Sequence, residues 1–353
     1  MADDGDRHRQ SRLFTDDDGA FDADRAREES LPVEDGEVID TDDLADHQRY
    51  VEGRGIYDER NRVNDLTGKE WKYATKSVIA EGYPPAVQHD LRSEHGGQKP
   101  PRLCADLIGR FSKAGDTVLD PFAGVGGTLL GASFCEHDGT GLREAIGFER
   151  TERWIEIYRE VLAAENEERR ARGEPPLAEQ DIRHGDCVDL IDDVPDESVD
   201  LLLTDVPYWD MDEREQTRNE RATRESKLGS FDGGTTDEAA VDAAEGTDDR
   251  RTKADWLAGM ATTFGRFTDA VAPDGHVVVF IGDMYRDQSY EFLSADLARA
   301  IESTAPLTLA ANLIWYDPTK DLHVYGYPFS FVPSMVHQNV LVFRPEAASE
   351  TEN

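Results

Sequence analysis

A strand that runs straight into a glycine-rich turn and then a helix leaves a chain few folds to choose from. Val118 to Ala132 (VLDPFAGVGGTLLGA) reads that way. An apolar run ends in Asp120-Pro121-Phe122, then Gly124, Gly126 and Gly127 make a tight turn, and helix-forming residues follow. Glycines there let backbone N–H groups approach a ligand closely at the carboxyl end of a strand, where open α/β sheets bind nucleotides. The spacing departs from G-x-G-x-x-G and lacks the Lys-Ser/Thr of a phosphate loop. Taken alone, the turn serves equally well as a structural one.

The rest of the chain repeats the strand-then-helix rhythm. Short runs rich in β-branched residues fall at 117–122, 145–149, 181–186, 199–207, 276–282, 307–316 and 339–344. Helical stretches fall between them at 101–112, 128–135, 151–165, 253–271 and 289–303. Such alternation predicts a mostly parallel sheet covered on both faces, here a doubly wound, Rossmann-like α/β fold of seven strands. It occupies residues 51–345. Residues 1–50 carry 17 acids against 6 arginines and no sustained periodicity, which reads as a disordered acidic tail. A Gly/Asp/Ala-rich run at 229–252 reads as a disordered surface insertion, and 346–353 as a second tail.

Composition narrows the class. The chain has 353 residues, 38 Lys+Arg against 75 Asp+Glu, and a net charge of −37. Only 8 of the cations are lysines. Two readings stay open: a protein of a high-salt cytoplasm, where salt screens self-repulsion, or an acidic protein that avoids nucleic acid. Binding depends on local basic stripes, so the sum does not exclude DNA. No stretch approaches the roughly 20 apolar residues of a membrane span, and the N-terminus has no apolar core of a secretory signal. Three scattered cysteines (Cys104, Cys135, Cys187) make no disulfide framework or zinc cluster, and no metal constellation is visible. The expectation is a cytoplasmic protein.

Two further acids sit where a nucleoside ligand needs acceptors. Glu149 ends the second strand, 29 residues after Asp120, and suits ribose hydroxyls. Asp186 ends the third strand and suits an adenine amino group. In so acidic a chain either one alone reads as a solvated acid, but successive strand ends argue together. The fourth strand ends in Asp205-Val206-Pro207-Tyr208-Trp209. An amine that accepts a methyl group needs its lone pair localised. Asp205 and the Val206 carbonyl could supply acceptors for its hydrogens, Pro207 fixes the loop, and Tyr208 offers a face on which an extruded base stacks. The plainer reading is a turn with aromatics packed in the core.

Asp120-Pro-Phe-Ala-Gly-Val-Gly-Gly-Thr128 followed by Asp205-Val-Pro-Tyr-Trp209 resembles motifs I and IV of the S-adenosylmethionine-dependent amino methyltransferases of DNA, the N4-cytosine and N6-adenine enzymes. The likeness extends upstream through NDLTGKEW and KSVI to QKPPRL (Gln98 to Leu103), which resembles motif X. Downstream it reaches IGD, LIWYDP and YGYPFSFVPSMVHQNVLVFRP. It implies S-adenosyl-L-methionine as cofactor, held by Asp120, Phe122, Gly124, Gly126, Glu149 and Asp186, with Lys99 and Pro100 beside them. It implies double-stranded DNA as partner, with Asp205, Val206, Pro207 and Tyr208 at the reacting base. Pro-Tyr-Trp after Asp205 resembles the cytosine-N4 enzymes, while an acid at the motif's head is common in the adenine-N6 enzymes. The whole chain resembles stand-alone haloarchaeal modification methylases acting on short palindromes such as CTAG.

Val206 stands where the family usually has a first proline, a change that keeps the backbone carbonyl. There is no separate recognition domain of ordinary size. Beside Trp209, a further candidate for DNA contact, Arg214, Arg218, Arg221 and Arg224, spaced four, three and three, would form one basic helical face for phosphate, although Glu213, Glu215, Glu220 and Glu225 could equally make it a solvated, self-paired helix. Lys69 and Lys72, beside Trp71 and Tyr73, form a second basic candidate. His337 and Asp283 read better as structural strand-end groups than as catalytic ones. Two rivals remain: a tRNA guanine-N2 methyltransferase, which shares motifs of this type, and a cofactor-binding regulator that has lost catalysis at Val206.

Overall fold

The computed structural model describes residues 40–41, 44–137, 139–207, 252–286, 288–322, 324 and 327–346. An antiparallel hairpin of β1 (Gln48–Val51) and β2 (Gly55–Asp58) leads into α1 (Gly68–Ala74) and the two-residue β3 (Val78–Ile79). α2 (His89–Arg92) and α3 (Pro101–Phe111) precede the alternating core. That core is β4 (Thr117–Asp120), α4 (Gly127–His137), β5 (Glu144–Glu149), α5 (Glu152–Arg172), β6 (Asp181–His184), α6 (Cys187–Leu190) and β7 (Val199–Asp205). After it come α7 (Lys253–Thr268), β8 (Val271–Ile281), the short pair β9 (Met284–Arg286) and β10 (Ser289–Glu291), α8 (Leu293–Thr304), β11 (Leu307–Tyr316) and β12 (His337–Pro345).

The sheet order is β3-β11-β12-β8-β7-β4-β5-β6. β6, β5, β4, β7 and β8 pair in parallel, and β12 is antiparallel to both of its neighbours. β4 lies third from the β6 edge, and the strand order reverses between it and β7. This is the topological switch point of a doubly wound sheet, where the turns after β4 and β7 leave side by side and open a crevice.

Side chains along each strand divide between two cores, as a period of two requires. Val118, Leu201, Leu203, Val278 and Phe280 pack under α3, α4 and α5 with Leu107, Leu130 and Tyr158. Leu119, Leu202, Val277, Val279 and Ile281 pack under α7 and α8 with Phe264, Phe267, Leu297 and Ile301. Each such side chain, taken fully out of water, contributes about 1.5–3 kcal/mol, so the central strands are the rigid part to which the site is fixed.

The seven strands and five helices of the sequence pattern are all present, with four corrections. An eighth strand, β3, adds two residues to the sheet edge against Ile314 and Trp315, too short for any pattern to announce. The helix expected from 289 begins at Leu293, because Ser289–Glu291 pairs with β9 and the Asp283 carboxylate, from another element, accepts from Ser294 N at 2.9 Å to start the helix there. The helix expected through 271 ends at Thr268, and Val271 already belongs to β8, paired with Val199. β1 begins at Gln48, a few residues ahead of the boundary expected at 51.

The residues before the core are tied down by polar bonds. Arg143, fully buried, donates to Ser112 O at 2.7 Å, Gly141 O at 2.8 Å and Asp65 Oδ2 at 3.3 Å. Arg54 reaches both Glu70 oxygens at 2.8 and 2.9 Å, while Glu70 closes a capping box with Thr67 on α1. All three cysteines are buried, and none forms a disulfide. Among the described residues no helix is long and apolar enough to cross a membrane, and no cluster of His, Cys, Asp and Glu could hold a metal ion.

Candidate active site

The turn after β4 is folded tightly onto its neighbours. Gly124 and Gly126 both have positive φ (+50° and +73°), which glycine adopts without strain. A Cβ on Gly126 would lie 2.3 Å from the Tyr158 ring, and one on Gly124 would lie 3.0 Å from His95 Nε2. These are therefore close-approach glycines. Ala123 N donates to Phe148 O at 2.9 Å, fastening the turn to β5.

The expected acids stand at three successive strand ends. Asp120, almost fully buried, accepts at Oδ1 from Phe122 N (3.1 Å) and Thr204 Oγ1 (2.6 Å). Burial pushes its carboxyl up to about 6, against the hydrogen bonds from Thr204, Thr128 and Phe122. Glu149 accepts from Gly124 N at 2.9 Å through one oxygen and from Thr151 N at 2.7 Å through the other. Each oxygen keeps a second lone pair for a hydroxyl donor. Asp186 caps α6 by accepting from Val188 N at 3.0 Å, and its other oxygen lies 3.9 Å from Arg150. Phe122 lies edge-on to Phe267, with ring centroids 6.3 Å apart.

Asp205 ends β7 on the other side of the switch point. Its Oδ2 is ion-paired with Lys99 Nζ, while its Oδ1 is shielded from solvent and has no hydrogen-bond partner among the described residues. Burial raises its carboxyl above the usual range, and Lys99 pulls it back down. Lys99 also lies over the Phe280 ring, 5.3 Å from its centroid. The sequence placed Lys99 and Pro100 with the cofactor residues, and the structure brings Lys99 onto Asp205. Pro100 begins α3, its carbonyl accepting from Cys104 N at 3.1 Å.

Val206 is buried in the core beneath α7, and Trp256 Nε1 donates to the Pro207 carbonyl at 2.7 Å. Trp256 comes from α7, and nothing in the sequence announced it. Also unannounced is the segment that closes over the glycine turn. Arg92 Nη2 donates to Lys99 O at 2.5 Å, and His95 lies edge-on to Trp154 with centroids 5.1 Å apart. Burial first, then Lys99 and Arg92, bring His95 down to about 4, so it is neutral at pH 7. Among the described residues His95 Nδ1 and Gln98 Oε1 are shielded and without hydrogen-bond partners, like Asp205 Oδ1.

Tyr208, Trp209, Arg214, Arg218 and Arg221 lie outside the described residues. Lys69 and Lys72 are exposed on α1. Lys69 lines a cleft of about 560 Å³ with Arg54, Tyr73, Lys76 and Arg110. That cleft borders β3, four strand positions from β7, or about 19 Å at the usual strand spacing. It is separate from the switch-point crevice. Asp283 is structural, accepting from Ser294 N, from Tyr290 Oη at 3.0 Å and from Asn339 Nδ2 at 3.4 Å.

Comparison with known proteins bears on this geometry. Residues 41–160 match the DNA methylase family N6_N4_Mtase. Over that stretch the chain is similar to the N6/N4 DNA methylases, and the stretch holds Lys99, the glycine turn, Asp120 and Glu149. Asp186 and Asp205 lie beyond it. No curated protein matches the chain. Among solved structures the chain is similar to TrmN of Thermus thermophilus (15% identity, 73% of this chain and 52% of that one, TM-score 0.41). It is also similar to a Listeria monocytogenes protein assigned as a class I S-adenosylmethionine-dependent methyltransferase (13%, 72% and 61%, TM-score 0.37). A third is another Thermus thermophilus protein, assigned as a DNA modification methylase and in complex with S-adenosyl-L-methionine (15%, 48% and 54%, TM-score 0.29). The chain thus spans about half the length of the first and third. All three TM-scores fall below 0.5, and the fold assignment rests on the strand order itself.

Proposed function

We propose that the protein is a DNA methyltransferase that moves the methyl group of S-adenosyl-L-methionine to an exocyclic amino group of a base in duplex DNA, cytosine N4 first and adenine N6 second. One observation carries this reading: at the switch point, a carboxylate with one shielded, unpartnered oxygen faces across from a close-approach glycine turn inside a stretch that matches DNA methylases. The residues fit the cofactor. Glu149 and Asp186 offer acceptors to ribose and adenine at adjacent strand ends, Gly124 and Gly126 leave room for close backbone approach, and orphaned His95 Nδ1 and Gln98 Oε1 offer polar partners at the same end.

When bound, the cofactor supplies an electrophilic methyl on a sulfonium. The chain's part is orientation and proton handling. Asp205 Oδ1 accepts from an amine N–H, which localises the nitrogen lone pair and favours tetrahedral geometry. Trp256, by holding the Pro207 carbonyl, fixes the backbone just after Val206, whose own carbonyl is the second acceptor. No covalent enzyme intermediate is needed, and holding the amine in line supplies most of the acceleration. Tyr208 and Trp209 are the groups proposed to stack on the extruded base. The basic residues Arg214, Arg218, Arg221, Lys69 and Lys72 are the proposed phosphate contacts. A cytoplasmic protein of a high-salt cell suits the charge.

The test is incubation of purified protein with methyl-labelled S-adenosylmethionine and, separately, DNA and tRNA in molar salt, followed by nucleoside mass spectrometry. Labelled N4-methyldeoxycytidine is expected. N6-methyldeoxyadenosine would keep the mechanism and change the base. Label in tRNA N2-methylguanosine alone would overturn the DNA reading, and no label despite cofactor binding would point to a regulator.

A further inference from the structure

The ion pair between Lys99 and Asp205 asks for a role, because even a partly buried pair, here with the Asp205 side chain 24% exposed, is costly to assemble. Taking two charges out of water costs more than a hydrophobic pair of like size, and such a pair is weak evidence for stability. The Lys99 side chain is 10% exposed. Its main chain is clamped on both sides: Arg92 holds its carbonyl, and a Cβ on Gly127 would meet that same carbonyl oxygen at 3.0 Å. Its ammonium lies over Phe280, the residue of β8 that pairs with Asp205 in the sheet register. Three elements therefore converge to bring one cation to one oxygen of one carboxylate, and the other oxygen is left without a partner among the described residues.

We propose that Lys99 is the positioning residue for the methyl acceptor: it takes Oδ2 of Asp205, holds the carboxylate ionised in a site poor in water, and thereby presents Oδ1 to the amine. This rests on the methyltransferase reading above. A shielded carboxylate without a cation takes up a proton at higher pH, and the carboxylic acid is a poorer acceptor for N–H than the carboxylate. Lys99 removes that obstacle without touching substrate.

Other groups nearby titrate, and their behaviour separates from that of the pair. Asp120, on β4, titrates at about 6 and repels Asp205. His95 lies near 4, held down partly by Lys99, and the Cys104 thiol is pushed up to about 12 by burial. Arg92 stays cationic, although burial lowers it to about 10. Asp120 contributes its limb to every variant, so the difference between variants reads Asp205.

The experiment compares wild type, Lys99→Met, Lys99→Arg, Asp205→Asn and the Met/Asn double variant, as full chains. Three quantities are read: the pH profile of single-turnover methyl transfer, the affinity for S-adenosylmethionine by calorimetry, and thermal stability across pH 5–9. In Lys99→Met, transfer at pH 7 is expected to fall about 10- to 100-fold, with the acid limb displaced upward by about one pH unit or more. Lys99→Arg is expected to restore the limb, and cofactor affinity to stay within about threefold. An unmoved limb, or a loss residing wholly in cofactor affinity, would overturn the proposal and return Lys99 to the cofactor's own contacts. The stability comparison needs no substrate: adding Asp205→Asn to Lys99→Met should recover part of the lost stability. A double variant no more stable than Lys99→Met would also overturn it. If wild type transfers no methyl to any nucleic acid, the functional reading fails, and the stability comparison still decides whether the pair is coupled.

Discussion

Two connections leave the same edge of the sheet and could hardly differ more. The turn from Asp120 to Gly127, after β4, is buried except at Phe122, and its backbone is tied to Phe148 and Glu149. The link between β11 and β12 carries Leu322, Val324, Tyr327, Phe329 and Phe331, each at least three-quarters exposed. Both are short of regular structure, and both lie where a doubly wound sheet binds its ligands. The first has no slack: its glycines meet Tyr158 and His95, so its geometry is dictated by the core. The second presents large apolar groups outward, with little beneath them to dictate anything. A region that must hold a small ligand in one arrangement is built from packing, and a region that lacks packing is left to meet something else.

Five substitutions would break or sharpen that contrast. The largest effect is expected at Asp205, on the packed side. Asp205→Ala should lower single-turnover methyl transfer by about 10³-fold or more, as loss of a positioned acceptor does, with cofactor affinity within a few-fold. Transfer that survives intact would remove Asp205 from the chemistry.

Gly126→Val comes next. Its side chain would collide with the Tyr158 ring in a left-handed backbone conformation, so a stability loss of about 3 kcal/mol or more is expected, seen as a lower denaturation midpoint. A variant as stable as wild type would show that the turn has room to move.

Asp120 tests the same turn by pH. Its carboxyl is raised to about 6 in the fold, so the ionised form is the disfavoured one there. Above about pH 6 the folded state bears that cost, which disappears as pH falls through 6 toward the ordinary carboxylate range. Asp120→Asn keeps an oxygen to accept from Phe122 N and Thr204. It should therefore be more stable than wild type by about 2–3 kcal/mol at pH 7.5, with the gap closing by about pH 4. Denaturant midpoints of both proteins at several pH values would show it. A gap independent of pH would mean that Asp120 does not titrate in this window.

On the exposed side, Phe329→Ser and Phe331→Ser should each alter stability by no more than about 0.5 kcal/mol, since nothing is unpacked. A loss of several kcal/mol in either would place those rings in a core and erase the comparison.

Much of this was legible in the residues because it follows from local rules. Strands at 117–122 and 199–207 show as apolar runs, since a strand buried on both faces needs apolar side chains on both, and 307–316 shows by its alternation, one face covered and the other exposed. Asp120, Glu149, Asp186 and Asp205 were found by one device, an acid at the end of such a run, and the glycine turn by its composition. What could not be read came from partners distant in the chain. The helix start at Leu293 depends on Asp283, and β3 exists because Ile314 and Trp315 offer it an edge. Trp256 reaches Pro207 across 49 residues of sequence, and Lys99 reaches Asp205 across 106.

By itself, then, the sequence determined the order of strands and helices, the glycine turn and the acids at strand ends, because backbone conformation and the alternation of burial are set by near neighbours. Which of those acids shares a cation, which carbonyl is pinned, and which oxygen is left without a partner were decided only when the sheet brought distant segments together. Electrostatic and hydrogen-bond partnerships depend on separation in space, and a linear pattern does not record it.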